Sequence, residues 1–316
     1  MITVRAVRPV EKVEIEKLNL QFLSFLVSEF LLIKDRERYK RGDTMDKILI
    51  TTNDLGAKLG QPDLVVVDAR PSMSHLLAHI PGAVNVNWRE FSDPTSTIKG
   101  LLDPSIQRLE QKLGALGIGN DKQVVVYSDP FEGFGEDARI FWMLTYLGHS
   151  QVQILNGGWM KWRLENRSIE RGPVRPRPAT FQAHLNPDVM VLKDEVKKKV
   201  DASGISTVIV DARSPREYQG EMGPGIPRGG HIPGSVNLPW NAFYNADGTV
   251  KDPAQIEAAS KIIGITKDTE VITYCTGGVR SSWLFFLLNL AGYSKVSNYP
   301  GSWWEWSNDF NLPVEK

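Results

Sequence analysis

Cysteine is almost absent from this chain: Cys275 is the only one in 316 residues. A single cysteine excludes an internal disulfide framework, suits a reducing cytosol and so a cytoplasmic location, and gives any thiol chemistry one address. Net charge is absent too, because Lys+Arg and Asp+Glu both number 37. The chain therefore lacks the basic field that non-specific nucleic-acid binding needs. Low-complexity tracts are missing, and so is an apolar run long enough to span a bilayer. The most apolar stretch, residues 18–33 (LNLQFLSFLVSEFLLI), is shorter than the roughly 20 residues a spanning helix requires, and Glu29 interrupts it. Charged residues follow it, from Lys34 to Arg38, where a secretory leader would carry small ones. No transmembrane segment is expected. The stretch reads as a helix packed on the body of the protein or on a second subunit or partner. A helix lying on a membrane surface, or a segment appended ahead of a start at Met45, remain alternatives.

What is present is the composition of a soluble globular protein, 41% hydrophobic and 23% charged, at a length that suits two domains. The halves repeat each other with a period of roughly 144 residues. The apolar run ending in Asp68-Ala69-Arg70 returns as the run ending in Asp211-Ala212-Arg213. His79-Ile80-Pro81-Gly82 with Asn85 and Trp88 returns as His231-Ile232-Pro233-Gly234 with Asn237 and Trp240. Gly157-Gly158-Trp159 with Trp162 matches Gly301-Ser302-Trp303 with Trp306. So many correspondences in one order indicate a tandem duplication. The proline-rich stretch after Arg163 cannot continue a helix or a strand and reads as an extended connector. The expected division is an extension over 1–46, a first unit over 47–162, a connector over 163–187 and a second unit over 188–316.

Each unit alternates short β-branched runs (65–67, 124–127, 152–155) with helical stretches. Residues 138–147 and 281–290 are apolar nearly all round, which predicts buried helices. Buried parallel strands joined by helices make an α/β domain with a parallel sheet.

The duplication supplies an internal control. Residues kept in both halves serve the fold, and residues found in one half are candidates for chemistry. On this test His79 and His231, Asp68 and Asp211, and the paired tryptophans are expected to be structural. One difference is chemical: Tyr127-Ser128-Asp129-Pro130 in the first half stands against Tyr274-Cys275-Thr276-Gly277-Gly278-Val279-Arg280 in the second. A thiol then sits at the carboxyl end of a buried strand, where α/β sheets bind ligands. Two glycines let successive N–H groups turn inward, and a helix N-terminus and Arg280 add positive potential. All of these favour thiolate over thiol. Cysteine-dependent phosphatases place five residues between cysteine and arginine to encircle a phosphate, whereas here only four intervene. The smaller loop suits an atom the size of sulfur.

These features resemble the tandem rhodanese family of thiosulfate and 3-mercaptopyruvate sulfurtransferases, over about residues 47–310. The resemblance implies two tandem rhodanese-like domains, of which the first lacks the cysteine. It implies that Cys275 attacks a small-molecule sulfur donor and carries a persulfide held by the loop from Thr276 through Gly277, Gly278 and Val279 to Arg280. Cyanide or a cellular thiol then takes the sulfur, and no metal or organic cofactor is needed. Arg280 offers one positive charge for a dianionic donor, which favours thiosulfate over 3-mercaptopyruvate. The family's donor-binding arginine falls in register at Glu217 here, with Arg216 one position early, so Arg216 is the candidate anion ligand. Trp240 matches an aromatic position lining the family's pocket. Other readings are a 3-mercaptopyruvate enzyme, a carrier relaying sulfur to a protein partner docked on the extension, a phosphatase-like enzyme, and an inactive scaffold.

Overall fold

A computed structural model describes residues 48–202 and 207–316. The extension over 1–46, with its apolar stretch 18–33, lies outside the described residues. In the first half the β-branched runs become strands β1 (Leu49–Ile50), β2 (Leu64–Asp68), β3 (Val84–Asn85), β4 (Gln123–Tyr127) and β5 (Val152–Leu155). They form one parallel sheet in the order β1-β5-β4-β2-β3, with Asp68 beside Tyr127 where β2 and β4 end together. Between and after them run α1 (Thr52–Lys58), α2 (Ser72–Leu77), α3 (Ile106–Ala115), α4 (Glu136–Tyr146) and α5 (Gly158–Leu164).

Strand alternation sends side chains to both faces of the sheet, and each face is packed. Val124 and Val126 join Leu109 and Leu113 of α3 and the apolar body of α4. Val125 and Tyr127 pack with Leu55 of α1 and Trp162 of α5 on the other side. This two-sided burial explains why the strands read as continuous apolar runs.

The second half repeats the plan with α6 (Lys193–Asp201), β6 (Thr207–Asp211), α7 (Pro215–Tyr218), β7 (Val236–Asn237), α8 (Pro253–Ile262), β8 (Glu270–Tyr274), α9 (Arg280–Leu290), β9 (Val296–Asn298) and α10 (Ser302–Asn308). Its parallel sheet has the order β7-β6-β8-β9. Where the first sheet has β1 beside β5, the second has a single parallel bridge between Met190 and Asn298. The expected α/β class therefore holds in both halves.

The two mostly apolar helices, α4 and α9, meet each other. Phe141 and Phe286 touch edge to face with ring centroids 5.2 Å apart, and both helices belong to one core that runs through both halves. Helix α4 begins at Glu136, ahead of its first apolar residue, because Glu136 and Asp137 suit the positive end of the helix dipole. Helix α5 continues through Leu164, past the expected start of the connector at 163. Beyond it the chain is extended, as its prolines require, and is pinned to the first half. Glu170 pairs with His79, and the N–H groups of Ala179 and His184 donate to the carbonyls of Gly114 and Leu147.

Residues present in both halves do the same structural work twice. Asp68 and Arg70 form a buried ion pair, as do Asp211 and Arg213. The amide of Asn85 donates to the carbonyls of Asp68 and Arg70, and that of Asn237 to those of Asp211 and Arg213. The Tyr127 hydroxyl accepts the Ile80 N–H at 3.1 Å, and the Tyr274 hydroxyl accepts the Ile232 N–H at 3.1 Å. Both tyrosines are fully buried. Removing such a hydroxyl strands a buried donor, at a cost of about 1–3 kcal/mol. Tyr127→Phe and Tyr274→Phe are each expected to lose about that much stability in urea unfolding; unchanged midpoints in both would contradict this account of the repeat.

Candidate active site

Strand β8 ends at Tyr274, and the chain reaches Cys275 in the grip of α10. The N–H groups of Trp303 and Trp304 donate to the carbonyls of Cys275 and Thr276 at 3.0 and 2.8 Å. The Ser302 hydroxyl accepts the Cys275 N–H at 3.1 Å and donates to the Tyr299 carbonyl at 2.7 Å. The first half has the same clamp, in which the Trp159 N–H donates to the Ser128 carbonyl at 2.9 Å. There the residue before the tryptophan is Gly158, at φ +51°, and a Cβ on it would lie 2.3 Å from the Ser128 carbonyl oxygen. Ser302 adopts the same left-handed conformation, at φ +52°, despite carrying a side chain. That conformation costs a non-glycine residue about 1–3 kcal/mol, and the hydroxyl's two hydrogen bonds offset it.

The loop can close over the thiol only because its centre lacks side chains. A Cβ on Gly277 would lie 2.3 Å from the Trp304 ring, and one on Gly278, at φ +78°, would lie 2.8 Å from the Pro300 carbonyl. Beneath the loop sits a buried polar group. Ser281 donates to Asn298 at 2.6 Å, Asn298 donates to Ser282 at 3.0 Å, and Ser282 donates to the Gly278 carbonyl at 2.6 Å. At the paired sheet positions where β8 and β9 carry Thr273 and Asn298, β4 and β5 carry Val126 and Ile154. The polar floor therefore belongs to the second half. Val279 is buried at the N-terminal boundary of α9, where its carbonyl accepts from Ser282 and Trp283.

The Cys275 thiol is 1% exposed, with its sulfur 3.6 Å from the Ser281 hydroxyl. Burial pushes its pKa upward. The charge of Arg280, the hydroxyl and N–H of Ser281, and the N–H of Gly277 outweigh burial and hold it below the ordinary thiol value of 9.0. A thiolate in this position is a nucleophile already surrounded by donors that would also meet an anionic sulfur attached to it.

Arg280 itself is not free. Its guanidinium makes a two-pronged pair with Glu217 at 2.7 and 2.8 Å and donates to the Thr276 hydroxyl. Burial raises the Glu217 pKa, but the Arg280 contacts and the Ser214 N–H and hydroxyl bring it down to about 2. Arg280, expected to offer one positive charge, therefore carries that charge already paired with a carboxylate. The expected anion ligand, Arg216, is not brought to the loop. Its side chain is 81% exposed and pairs with Glu221 at 2.9 Å. On the four-residue helix α7, residues 216 and 217 point to different sides, and the loop side holds Glu217. Trp240 is buried at the start of a short 3-10 turn, edge-on to Tyr244 and 6.4 Å from the Phe134 ring of the first half.

The residues read as structural behave so. His231 stacks on Tyr218 with centroids 3.7 Å apart and contacts the Tyr218 carbonyl through Nδ1. His79 stacks on His75 at 4.0 Å and contacts its carbonyl in the same way. Trp162, Trp303 and Trp306 are core residues. Sequence reasoning missed Ser302, Ser281, Asn298 and Glu217. For Ser302 the signal was available, since the glycine of one half is a serine in the other.

Two stretches of the chain, residues 51–165 and 192–309, match the model of the rhodanese-like domain. The chain is 33% identical over 285 residues to the sulfur carrier protein TtuD of Thermus thermophilus, covering 85% of this chain and 97% of that protein. It is 34% identical over 273 residues to the thiosulfate sulfurtransferase of Azotobacter vinelandii, with the same coverage. Among solved structures it resembles the 3-mercaptopyruvate sulfurtransferase SseA of Escherichia coli, with a TM-score of 0.72 at 26% identity, covering 81% of this chain and 98% of SseA. With both halves matched, and with the loop closed around a thiol in the second alone, the chain belongs to the rhodanese family in its tandem form and is a sulfurtransferase.

Proposed function

We propose that the chain moves the outer sulfur of thiosulfate to a thiophilic acceptor such as cyanide, through a persulfide on Cys275. One observation carries this reading: the only thiol is buried where Gly277, Ser281 and Arg280 all favour its anion. The Cys275 thiolate attacks the outer sulfur, the S–S bond of thiosulfate breaks, and its electron pair leaves with sulfite. The terminal sulfur of the persulfide is then met by the N–H groups of the loop from Thr276 to Arg280. An acceptor attacks that sulfur, and the Cys275–sulfur bond returns its electrons to the thiolate. Trp240 forms an aromatic wall of the approach. Arg216 takes no part.

Thiosulfate as donor is supported by the Azotobacter relative's name and by the near-closed thiol, which a small donor reaches most readily. The similarity to TtuD favours a second reading, in which the same persulfide passes its sulfur to a protein. Both readings share the first half-reaction and differ in the acceptor.

Thiosulfate and 3-mercaptopyruvate, supplied side by side with cyanide as acceptor, test the donor. Thiosulfate is expected to give a kcat/KM higher by about tenfold or more; a preference for 3-mercaptopyruvate would overturn the choice. Cys275→Ser should abolish thiocyanate formation with no change in fold, and substantial residual turnover would sink the persulfide route. The lowered thiol pKa also sets a pH dependence. Below it the thiol is protonated and loading slows, so the loading rate should climb with pH through a midpoint below 9.0. A midpoint at or above pH 9.0 would show an ordinary thiol.

A further inference from the structure

Helix α4 of the half without the cysteine carries one feature that its apolar surroundings do not explain. Arg139 is 1% exposed in the middle of the core between the halves. Its Nη2 donates to the Gly100 carbonyl at 2.5 Å and its Nη1 to the Gly278 carbonyl at 3.4 Å. Its guanidinium lies 4.5 Å from the Trp142 ring centroid and 5.6 Å from that of Trp88. No carboxylate pairs with it among the described residues. A buried arginine is ordinarily matched by an anion, because an isolated buried charge is costly.

The charged groups on the packed elements leave one anion to fill that place. Arg280 of α9 is shared with Glu217 of α7. Asp211 of β6 is clasped by Arg213. On α4, Glu136 accepts the Phe134 N–H, and Asp137 is turned to the N–H groups of Ser128 and Ala138. Glu305 of α10 is held by the Tyr299 hydroxyl. What remains is Cys275, the one residue whose charge acts on Arg139 in the direction of keeping it protonated. The contact to the Gly278 carbonyl fixes the guanidinium against the loop itself, since a Cβ on Gly278 would lie 2.9 Å from Nη1.

We infer that Arg139 is a positioning residue of the sulfur-transfer site: lent by the half that lacks the thiol, it holds the Gly278 turn and balances the negative charge of the Cys275 thiolate and persulfide. This rests on the persulfide reading and deepens it. Arg280 favours the thiolate while it is paired with Glu217, and Arg139 adds a second, buried cation that no carboxylate pairs among the described residues. Burial pushes the Arg139 pKa down, and the charge of Cys275 opposes that shift.

The test is the pH profile of Cys275 alkylation by iodoacetamide, which needs no sulfur donor and reads the thiolate directly. Arg139→Gln keeps a donor for the Gly278 carbonyl but removes the charge, and should raise the midpoint by about one pH unit while leaving the unfolding transition cooperative. Arg139→Lys keeps the charge and should stay within a few tenths of a unit of the wild type. A folded glutamine variant with an unchanged midpoint would overturn the inference. If that variant does not fold, a lysine variant whose midpoint rises by a full unit would overturn it as well. Failure of the persulfide reading would appear separately, as a wild-type protein that alkylates normally but never gains sulfur from thiosulfate.

Discussion

An anion in a dry site must be matched by groups already fixed in place, and this structure is organised around that demand at Cys275. The thiol is 1% exposed, so solvent supplies little of the compensation. The loop supplies it instead, and the loop holds its shape because α10 fastens two of its carbonyls and the Cys275 N–H. Glycines 277 and 278 follow from the same demand, since the Trp304 ring and the Pro300 carbonyl leave no room for a Cβ. The polar floor of Ser281, Ser282 and Asn298 then keeps the underside of the loop hydrogen-bonded.

The two halves divide the work in a way their similarity conceals. Both build a parallel sheet, both bury an Asp-Arg pair at a strand end, and both fasten the following turn through a tyrosine hydroxyl. Only the second turns the strand end into a thiol site. The first adds the apolar face of α4, the Phe134 ring near Trp240, and Gly100, whose backbone presses so closely on Pro300 and Gly277 that a Cβ there would overlap both. A site assembled this way depends on the core between the halves, and α4 and α9 form much of that core.

Much of this was legible in the sequence. The repeat exposed both sheets, the two apolar helices and the one chemical difference at Cys275, because those signals are local runs and ordered correspondences. The structural reading of His79 and His231 followed from the same comparison, and their stacking on His75 and Tyr218 agrees with it. Partners distant in sequence were less visible. Nothing in the order of residues shows that Glu217 meets Arg280 across 63 positions, so the carboxylate partner of the expected positive charge was not legible. Arg216 and Glu217 are neighbours in the chain, and only the direction of a single helical turn decides which reaches the loop. Ser302 left a readable mark, as a serine where the first half has the glycine of a left-handed turn. Arg139 left another, as the one charge within the apolar run of residues 138–147.

The central claim is that Cys275 carries sulfur between donor and acceptor. Intact-mass analysis after incubation with thiosulfate tests it most directly, followed by peptide mapping and then by addition of cyanide. The account predicts a gain of one sulfur atom, located on Cys275 and lost again when cyanide is added. A protein whose mass is unchanged by thiosulfate and by 3-mercaptopyruvate alike, or one that gains sulfur elsewhere, would contradict it.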